Sequence, residues 1–386
     1  MIYLDNNATT RVADEVLAAM TPYYRELYGN PHSLHSLGRR AHDGIEAARL
    51  DVAALIGCEP SEVIFTSCGT EGNAMVIRGL LDAAPSRRKV VATSVEHPSV
   101  LTLLRAVEAA GQIELAIVPV DEEGAIDLDA MREAIDDTTL LVSVMLAQNE
   151  TGVLHPIAEI AAMAHARGAL LHVDAVQAAG KVPLAMHRLG ADLLTISGHK
   201  FHAPKGVGAL AIRKGLSLRP LWYGGGQELG LRSGTEPVPS IVALGVASRM
   251  ARDTALAYDT VRALRDRFES EVLRRLSEVS VNGGTQPRLG NTANISFHGI
   301  QADALVRALD AAGVCASAGA ACHSGNVEAS ATMKAMRKPL HVAMGAVRFS
   351  LSRSTTAEEI EQAVDIIAGL SRSRSAVAEE AGFSPP

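Results

Sequence analysis

Short apolar runs alternate with helical patterns over residues 60–215, and this alternation constrains the fold more than any other feature of the chain. The runs that we predict to be strands are 63–66, 89–93, 113–117, 140–144, 170–173, 193–196 and 208–212. Most are apolar throughout, as expected for strands covered on both faces. Helical patterns lie between several of them, such as 156–165, which starts with proline and is soon followed by Gly168. The pattern predicts an α/β fold with a mostly parallel, seven-stranded sheet flanked by helices.

A smaller α+β region is predicted to follow. A segment rich in glycine and proline (224–239) and a long helical stretch (240–279) separate it from the sheet pattern. Its predicted elements are a strand at 294–297, a helix at 302–312, a strand at 348–352 and a last helix from about 356. We therefore predict a large domain at 13–261, a small domain formed by 1–12 and 262–372, and a flexible tail at 373–386.

Charge and composition narrow the classes of partner. The formal net charge is −7 with both signs spread along the chain, so we expect neither nucleic acid nor a membrane surface as a partner. We find no span long and apolar enough to cross a bilayer and no signal-peptide pattern, which predicts a cytoplasmic protein. The cysteines, Cys58, Cys68, Cys315 and Cys322, form no Cys-x-x-Cys pair, so no structural metal site is expected.

Two charged residues follow buried strands. Lys200 comes shortly after the run 193–196, and Asp174 directly after 170–173. Pyridoxal phosphate enzymes need a lysine that forms a Schiff base with the cofactor aldehyde and an acid that keeps the pyridine nitrogen protonated. The alternatives are a surface lysine in a loop and an internal salt bridge for the aspartate. The pair therefore indicates pyridoxal phosphate chemistry without establishing it.

The segment 66–71 joins a predicted strand to a predicted helix. Gly69 permits a tight turn, and Thr70 would then lie at a helix N-terminus, where free N–H groups and the helix dipole favour a phosphate. A helix cap without a ligand is the alternative. Ser197 and His199, just before the lysine, are further candidates for phosphate contacts.

A histidine and an arginine complete the set of candidates near strand ends. His97, held by the proline that follows it, could stack on a planar ring and exchange protons, or could be an ordinary hydrogen-bonded loop histidine. Arg348 opens a late strand and could bind a substrate carboxylate through a bidentate fork, or form a structural ion pair.

Cys322 lies in a setting unlike those of the other cysteines. Its segment, 318–326, is small, rich in glycine and without apolar periodicity, which predicts a mobile loop. The other cysteines lie in or beside apolar runs. Since exposed cysteines on flexible loops are liabilities unless they are used, we predict that Cys322 has a function.

Taken together, these segments resemble the cysteine desulfurase family, within the fold-type I, class-V aminotransferase group of pyridoxal phosphate enzymes. The likeness extends from about residue 3 to 353 and is nearest to the NifS/IscS branch, closer to NifS. The segments that carry it are 29–31 (GNP), 66–71 (TSCGTE), 96–98 (EHP), 149–152 (NETG), 174–177 (DAVQ), 197–200 (SGHK) and 232–236 (RSGTE).

The resemblance implies a role for each candidate. The residues implied for the cofactor are Lys200 as its covalent anchor, Asp174 at the pyridinium nitrogen, Gln177 at the ring hydroxyl, His97 stacked on the ring, and Gly69, Thr70, Ser197, His199 and Thr235 around the phosphate. Thr235 would reach it from the partner subunit of a homodimer. Asn30, Asn149 and Arg348 would hold the carboxylate of L-cysteine. Cys322 would accept the sulfur, leaving alanine, and pass it to an acceptor such as an iron–sulfur scaffold.

Some positions depart from the family pattern. Gln148, Leu229 and His323 stand where asparagine, arginine and a small hydroxyl residue are usual, and the C-terminal tail does not resemble a scaffold-docking tail. The acceptor is therefore left open. Selenocysteine lyase and another class-V aminotransferase or lyase are the alternatives. The presence of both Lys200 and Cys322 argues against a non-catalytic sulfur-relay subunit.

Overall fold

The structure is a computed structural model that describes residues 1–84, 86–255, 258–319, 321–323 and 326–380, without the side chains of 253–255, 321–323, 326–327 and 372–380. The strands are β1 (Ile2–Tyr3), β2 (Val63–Thr66), β3 (Lys89–Thr93), β4 (Glu114–Val118), β5 (Thr139–Met145), β6 (Leu170–Asp174), β7 (Leu193–Ser197), β8 (Gly208–Ile212), β9 (Val279–Val281), β10 (Thr292–Phe297), β11 (Val314–Cys315), β12 (Ser317–Ala318), β13 (Ala321–His323), β14 (Asn326–Glu328) and β15 (Ala346–Ser350).

The α-helices surround these strands. They are α1 (Asp14–Met20), α2 (Pro22–Arg25), α3 (Ser36–Ile56), α4 (Gly69–Ala83), α5 (Pro98–Ala109), α6 (Leu128–Ala134), α7 (Ile157–Ala166), α8 (Met186–Leu189), α9 (Val238–Ala255), α10 (Tyr258–Arg275), α11 (Ala302–Ala311), α12 (Ala331–Ala335), α13 (Leu340–Ala343) and α14 (Ala357–Glu380). Within the described residues, every helix is too short or too polar to cross a bilayer.

Seven strands form one sheet in the order β2-β8-β7-β6-β5-β3-β4. Only β8 runs antiparallel to its neighbours, β2 and β7. Successive residues of a strand enter different cores: Val90 packs with α4 and α5 on one face, whereas Val91 packs with α3, α7 and α9 on the other. This double coverage explains the continuous apolar runs and confirms the predicted fold class. Because β2, β3, β5, β6 and β7 run in the same direction, their carboxyl ends lie at one edge of the sheet.

A second hydrophobic core lies on an antiparallel sheet of order β12-β15-β10-β9, covered by α10, α11 and α14. The N-terminus joins it, because β1 pairs with β11 and Asp5 bridges to Ser350. Residues of α12 and α13 pack on the large-sheet core instead. The predicted domain boundaries remain a proposal, which the separation of the two cores supports.

Three stretches differ from what the pattern predicts. The helical stretch 240–279 is described as two helices, α9 and α10, because their apolar faces enter different cores. The backbone around Cys322 pairs in part as the hairpin β13–β14. Helix α14 continues through Glu380, and the remainder of the predicted flexible tail, 381–386, lies outside the described residues. Residues 371–380 are rich in alanine, arginine and glutamate and lack glycine and proline, which favours a helix.

An aromatic cluster stabilises the second core. The buried ring of Phe349 lies 5.0 Å from that of Phe268 and 6.4 Å from that of Phe297, centroid to centroid. We expect Phe349→Ala to lower the free energy of unfolding by about 3–5 kcal/mol, measured by urea denaturation, because it leaves a cavity. Leu273→Ala on the exposed side of α10 is the control, with an expected change within about 0.5 kcal/mol. Equal effects of the two substitutions would contradict this description of the core.

Candidate active site at the carboxyl edge of the large sheet

A cavity of about 200 Å³ opens where the strands of the large sheet end. Its walls contain most of the residues predicted from the sequence: Gly69, Thr70, His97, Asn149, Asp174, Gln177, Ser197, His199 and Lys200. Cys68, Asn73, Ser99, Met145, Ala147 and Val176 complete the wall. These residues come from distant parts of the chain and meet because parallel strands end at one edge of the sheet.

Three predicted residues with described side chains, Asn30, Thr235 and Arg348, do not line this cavity. Arg348 adjoins it, since its Nη1 donates to the backbone oxygen of Asn149 at 3.0 Å, and its Nη2 forms an ion pair with Asp5 at 2.9 Å, which is the alternative considered for this residue. Asn30 and Thr235 are exposed, and neither belongs to the wall. The backbone of Cys322 lies in β13, paired with Val327, while its side chain lies outside the described part.

One end of the cavity suits an anion. Helix α4 begins there at Gly69, and the residue before it, Cys68, makes no side-chain cap. The N–H groups of the first turn therefore face the cavity without a side-chain acceptor at the cap position, which is the usual setting for a bound phosphate. The buried Oγ of Ser197 has no hydrogen-bond partner in the described structure, and an added Cβ at Gly69 would meet Val176 at 2.8 Å. Both observations fit a phosphate ester held against the backbone.

His199 contributes to this end as a neutral group. Burial, followed by the positive charges of Lys200, Lys205 and Lys181, lowers the pKa of His199 to about 4. Its Nδ1 lies 3.2 Å from Oγ1 of Thr9. The ring therefore offers hydrogen bonds rather than charge while the site holds no anion.

Asp174 lines the same cavity as the last residue of β6. Its Oδ2 accepts a hydrogen bond from Nδ2 of Asn73 at 2.9 Å, and its Oδ1 accepts one from the N–H of Val176 at 3.0 Å. The residue is buried, and no cationic side chain of the described residues forms an ion pair with it. Because a buried carboxylate is costly without a positive partner, a protonated ring nitrogen would complete this site.

Lys200 follows β7 through a single 3-10 turn, Gly198–Lys200. Its Nζ donates to the backbone oxygens of Asn7 at 2.6 Å and Ala8 at 3.0 Å. Burial, assisted by the charge of Arg348, lowers the pKa of Lys200 to about 8, against the opposing effects of Asp174 and Asp5. A substantial neutral fraction of a nucleophilic amine is therefore present near neutral pH.

The lowered pKa predicts the pH dependence of Lys200 labelling in the free protein. Only the neutral amine reacts with an acylating reagent, so the labelling rate rises through the pKa, with a midpoint near pH 8. An unperturbed lysine side chain titrates at about 10.4. The measurement is competitive labelling followed by peptide mass spectrometry, with Nα-acetyl-lysine in the same solution as reference. A Lys200 midpoint equal to that of the reference would contradict the description of this site.

His97 caps helix α5, and its hydrogen bonds fix its tautomer. Nδ1 accepts from the backbone N–H of Ser99 at 3.1 Å and lies 2.8 Å from the Ser99 hydroxyl. Since a backbone N–H can only donate, the proton of the neutral ring is on Nε2. Burial lowers the pKa of His97. The charge of Asp174 opposes this effect, and the charge of Lys200 adds to it. His97 can therefore present a neutral ring with a proton to donate.

Several residues that build the site were assigned no role from the sequence. Asn73 lies on the first turns of α4 and connects Asp174 to Ser99. Glu96 ties β3 to β5, because its Oε1 accepts from the Thr93 hydroxyl and from the N–H of Met145. Burial raises the pKa of Glu96 to about 8, so its carboxyl is protonated at neutral pH.

Asn7 and Lys181 form a second polar layer behind the cavity. Asn7 joins the N-terminus to Lys200, Gln177 and Lys181 through its backbone and side-chain oxygens. No local motif marks either residue, since their partners are far apart in sequence. Among the described residues, no group of three or more His, Cys, Asp or Glu side chains is arranged to hold a metal ion.

Comparisons with known proteins agree with this geometry. The family model of class-V aminotransferases matches residues 2–363. The chain is 47% identical over 367 residues to "Cysteine desulfurase 2" of Trichormus variabilis, covering 95% of this chain and 92% of that protein.

Solved structures show the same likeness. A NifS-like protein superposes with a TM-score of 0.89 at 36% identity, covering 96% of this chain and 98% of that one. A second structure, of SspA in complex with cysteine, has a TM-score of 0.80 at 31% identity and covers 91% and 99% of the two chains. The predicted family and fold type are thereby confirmed.

Proposed function

Because the chain belongs to the class-V aminotransferase family, we propose that it is a pyridoxal phosphate-dependent cysteine desulfurase. It would remove the sulfur of L-cysteine, release L-alanine and leave the sulfur on Cys322. The observation that carries the proposal is the cavity in which Lys200, Asp174 and the N-terminus of α4 meet. The choice of L-cysteine as the substrate rests on the resemblance to proteins named as cysteine desulfurases.

The wall of the cavity fits the cofactor. Thr70 and the backbone N–H groups of the first turn of α4 would hold the phosphate, together with Ser197 and His199. Asp174 would pair with the protonated ring nitrogen, and Gln177 would contact the ring hydroxyl. When bound, pyridoxal phosphate supplies an electron-accepting ring that stabilises negative charge at the α-carbon of an amino acid.

The side chains around the cofactor would handle the substrate and its protons. The Nζ of Lys200, neutral in part near pH 8, would take the α-proton of the amino acid. The Nε2 of His97 carries a proton that it can donate. Arg348 pairs with Asp5 through Nη2 at 2.9 Å, and its Nε is buried without a partner in the described structure. We propose that it binds the carboxylate with Asn149, and that Asn30 assists.

Cys322 would perform the sulfur transfer. Its thiolate would attack the sulfur of the bound cysteine, so that a sulfur–sulfur bond forms while the carbon–sulfur bond breaks. The electron pair of the broken bond stays with the substrate carbon, which is protonated to give alanine. The step needs no external oxidant, because the substrate carbon takes the electron pair and is reduced while the sulfur is oxidised to the level of a persulfide.

We also propose a homodimer in which Thr235 contributes to the phosphate site of the partner subunit. Thr235 is exposed and does not line the cavity of its own chain. Two side-chain contacts hold its segment: an ion pair of Arg232 with Glu71 at 3.0 Å, and a hydrogen bond between Glu236 and His32 at 2.7 Å. Since Glu71 belongs to the first turn of α4, the segment is tied to the phosphate end of the site.

We also propose an acceptor for the sulfur and a cellular compartment for the reaction. The persulfide would pass to an acceptor protein, such as an iron–sulfur scaffold, in the cytoplasm. The likeness to NifS-like proteins supports this proposal. Selenocysteine lyase remains the alternative, because the site would bind L-selenocysteine through the same carboxylate and amine.

The test is product analysis on the protein loaded with pyridoxal phosphate. With L-cysteine and a thiol reductant, we expect alanine and sulfide in equal amounts. L-Selenocysteine in a parallel reaction distinguishes the selenocysteine lyase alternative, and an amino acid with an α-keto acid distinguishes transamination. Loaded protein that forms no alanine from L-cysteine would contradict the proposal.

A further inference from the structure

Lys181 is a second buried lysine near the cavity, and the proposed mechanism does not use it. It is 5% exposed, and its Nζ donates to Oε1 of Gln177 at 2.8 Å and to Oδ1 of Asn7 at 3.0 Å. No carboxylate of the described residues forms an ion pair with it. Burial, and then the charges of Lys200 and Arg348, lowers the pKa of Lys181 well below its ordinary value. Burying a lysine without an ionised partner costs free energy of folding, so its presence requires an explanation.

We propose that Lys181 is a positioning residue, which fixes the side-chain amide of Gln177 so that its NH₂ group faces the ring oxygen of the cofactor. The inference rests on the proposed function. It assigns Lys181 no contact with the cofactor, because Gln177 lines the cavity and Lys181 does not.

The two contacts of Gln177 determine the orientation of its amide. In its ammonium form Lys181 can only donate hydrogen bonds, so the atom that faces its Nζ is then the amide oxygen. The backbone oxygen of Asn7 can only accept, so the atom that faces it, at 2.9 Å, must be the NH₂ group. Both contacts require the same orientation. One proton of Nε2 is used by Asn7, and the other remains for a ligand in the cavity.

Lys181 acts with the backbone oxygen of Asn7 to prevent the amide from turning over. It is the only hydrogen-bond partner of the Gln177 oxygen among the described residues. Asn7, in contrast, keeps a donor at its Oδ1 without Lys181, since Nδ2 of Asn291 lies 3.0 Å away. Removal of Lys181 should therefore act on Gln177 more than on the N-terminal segment. A flipped amide would present its oxygen to the ring oxygen and repel it when ionised.

The expected consequence is a shift in the pH titration of the bound cofactor. A donor at the ring oxygen stabilises the deprotonated form of the cofactor joined to Lys200. Without that donor, deprotonation should require a higher pH. We expect Lys181→Met to raise the midpoint of the absorbance titration by about one pH unit, the effect of losing one hydrogen bond to an ionised group.

The experiment is an absorbance–pH titration of the loaded enzyme without substrate. The variants are Lys181→Met, Gln177→Leu, the double variant, and Lys214→Met, an exposed lysine, as control. Gln177→Leu should raise the midpoint by a similar amount, and Lys181→Met should add nothing to it. An unchanged midpoint in Lys181→Met, or a full additional shift in the Gln177→Leu background, would overturn the inference.

Two further results keep the test decisive. If Lys181→Met does not fold, Lys181→Arg retains a donor and should titrate near the wild-type midpoint, so a rise of about one unit there would overturn the inference. Wild-type protein that takes up no pyridoxal phosphate would refute the proposed function itself. Wild-type protein that loads normally, with Lys181→Met indistinguishable from it, would refute the role of Lys181 alone.

Discussion

Lys200→Ala is expected to lower the rate of alanine formation from L-cysteine by at least about a thousandfold. The substitution removes both the amine that anchors the cofactor and the base that takes the α-proton, and each of these functions is worth orders of magnitude. The neighbouring wall of the cavity, including Asp174 and the N-terminus of α4, stays in place. Cofactor should therefore still bind, but without a covalent link.

The measurements are the alanine formed per minute and, after borohydride reduction, the mass of the peptide containing residue 200. Lys205→Ala, an exposed lysine of the following loop, is the matched control and should retain both activity and the covalent link at Lys200. A Lys200→Ala protein that keeps a tenth or more of the wild-type rate would contradict the role assigned to Lys200.

Cys322→Ser is expected to lower the rate of alanine formation to a similar extent, by at least about a thousandfold, while cofactor binding is unchanged. A serine hydroxyl is a far weaker nucleophile toward sulfur than a thiolate, so the carbon–sulfur bond should remain intact. The backbone of residue 322 lies in the hairpin β13–β14, and the substitution leaves the wall residues Lys200, Asp174 and Gln177 unchanged, so the absorbance of the bound cofactor should not change.

Cys315→Ser is the control for this experiment. Cys315 is a free, half-buried cysteine of β11 in the same part of the chain, and it pairs with the N-terminal strand rather than with the hairpin. It should retain the wild-type rate. Alanine formation undiminished in Cys322→Ser would indicate that sulfur leaves by elimination and would favour a lyase.

The large sheet was predictable because its strands are covered on both faces. An apolar run such as 193–196 needs no periodicity to be recognised, and turn residues mark its ends. The division between α9 and α10 was not predictable, because their apolar faces are similar and differ only in the core that they enter. The hairpin near Cys322 was also missed, since each of its strands has only three residues and most of these are neither β-branched nor aromatic.

Some residues of the candidate site were also predictable from the sequence, and others were not. Lys200 and Asp174 were recognisable because each follows a strand, and the geometry brings both to one cavity. Asn7 and Lys181 were not, because their contacts join residues 174 positions apart and no local pattern encodes them. Sequence patterns therefore identified the residues that touch the cavity better than those that orient them.

The most direct test of the central claim is a single turnover of the loaded protein with L-cysteine and no reductant. Alanine is quantified, and the cysteine peptides are analysed by mass spectrometry. The account predicts one alanine per active site and one added sulfur on Cys322, with Cys58, Cys68 and Cys315 unmodified. Alanine without added sulfur on Cys322, or sulfur on another cysteine in its place, would contradict it.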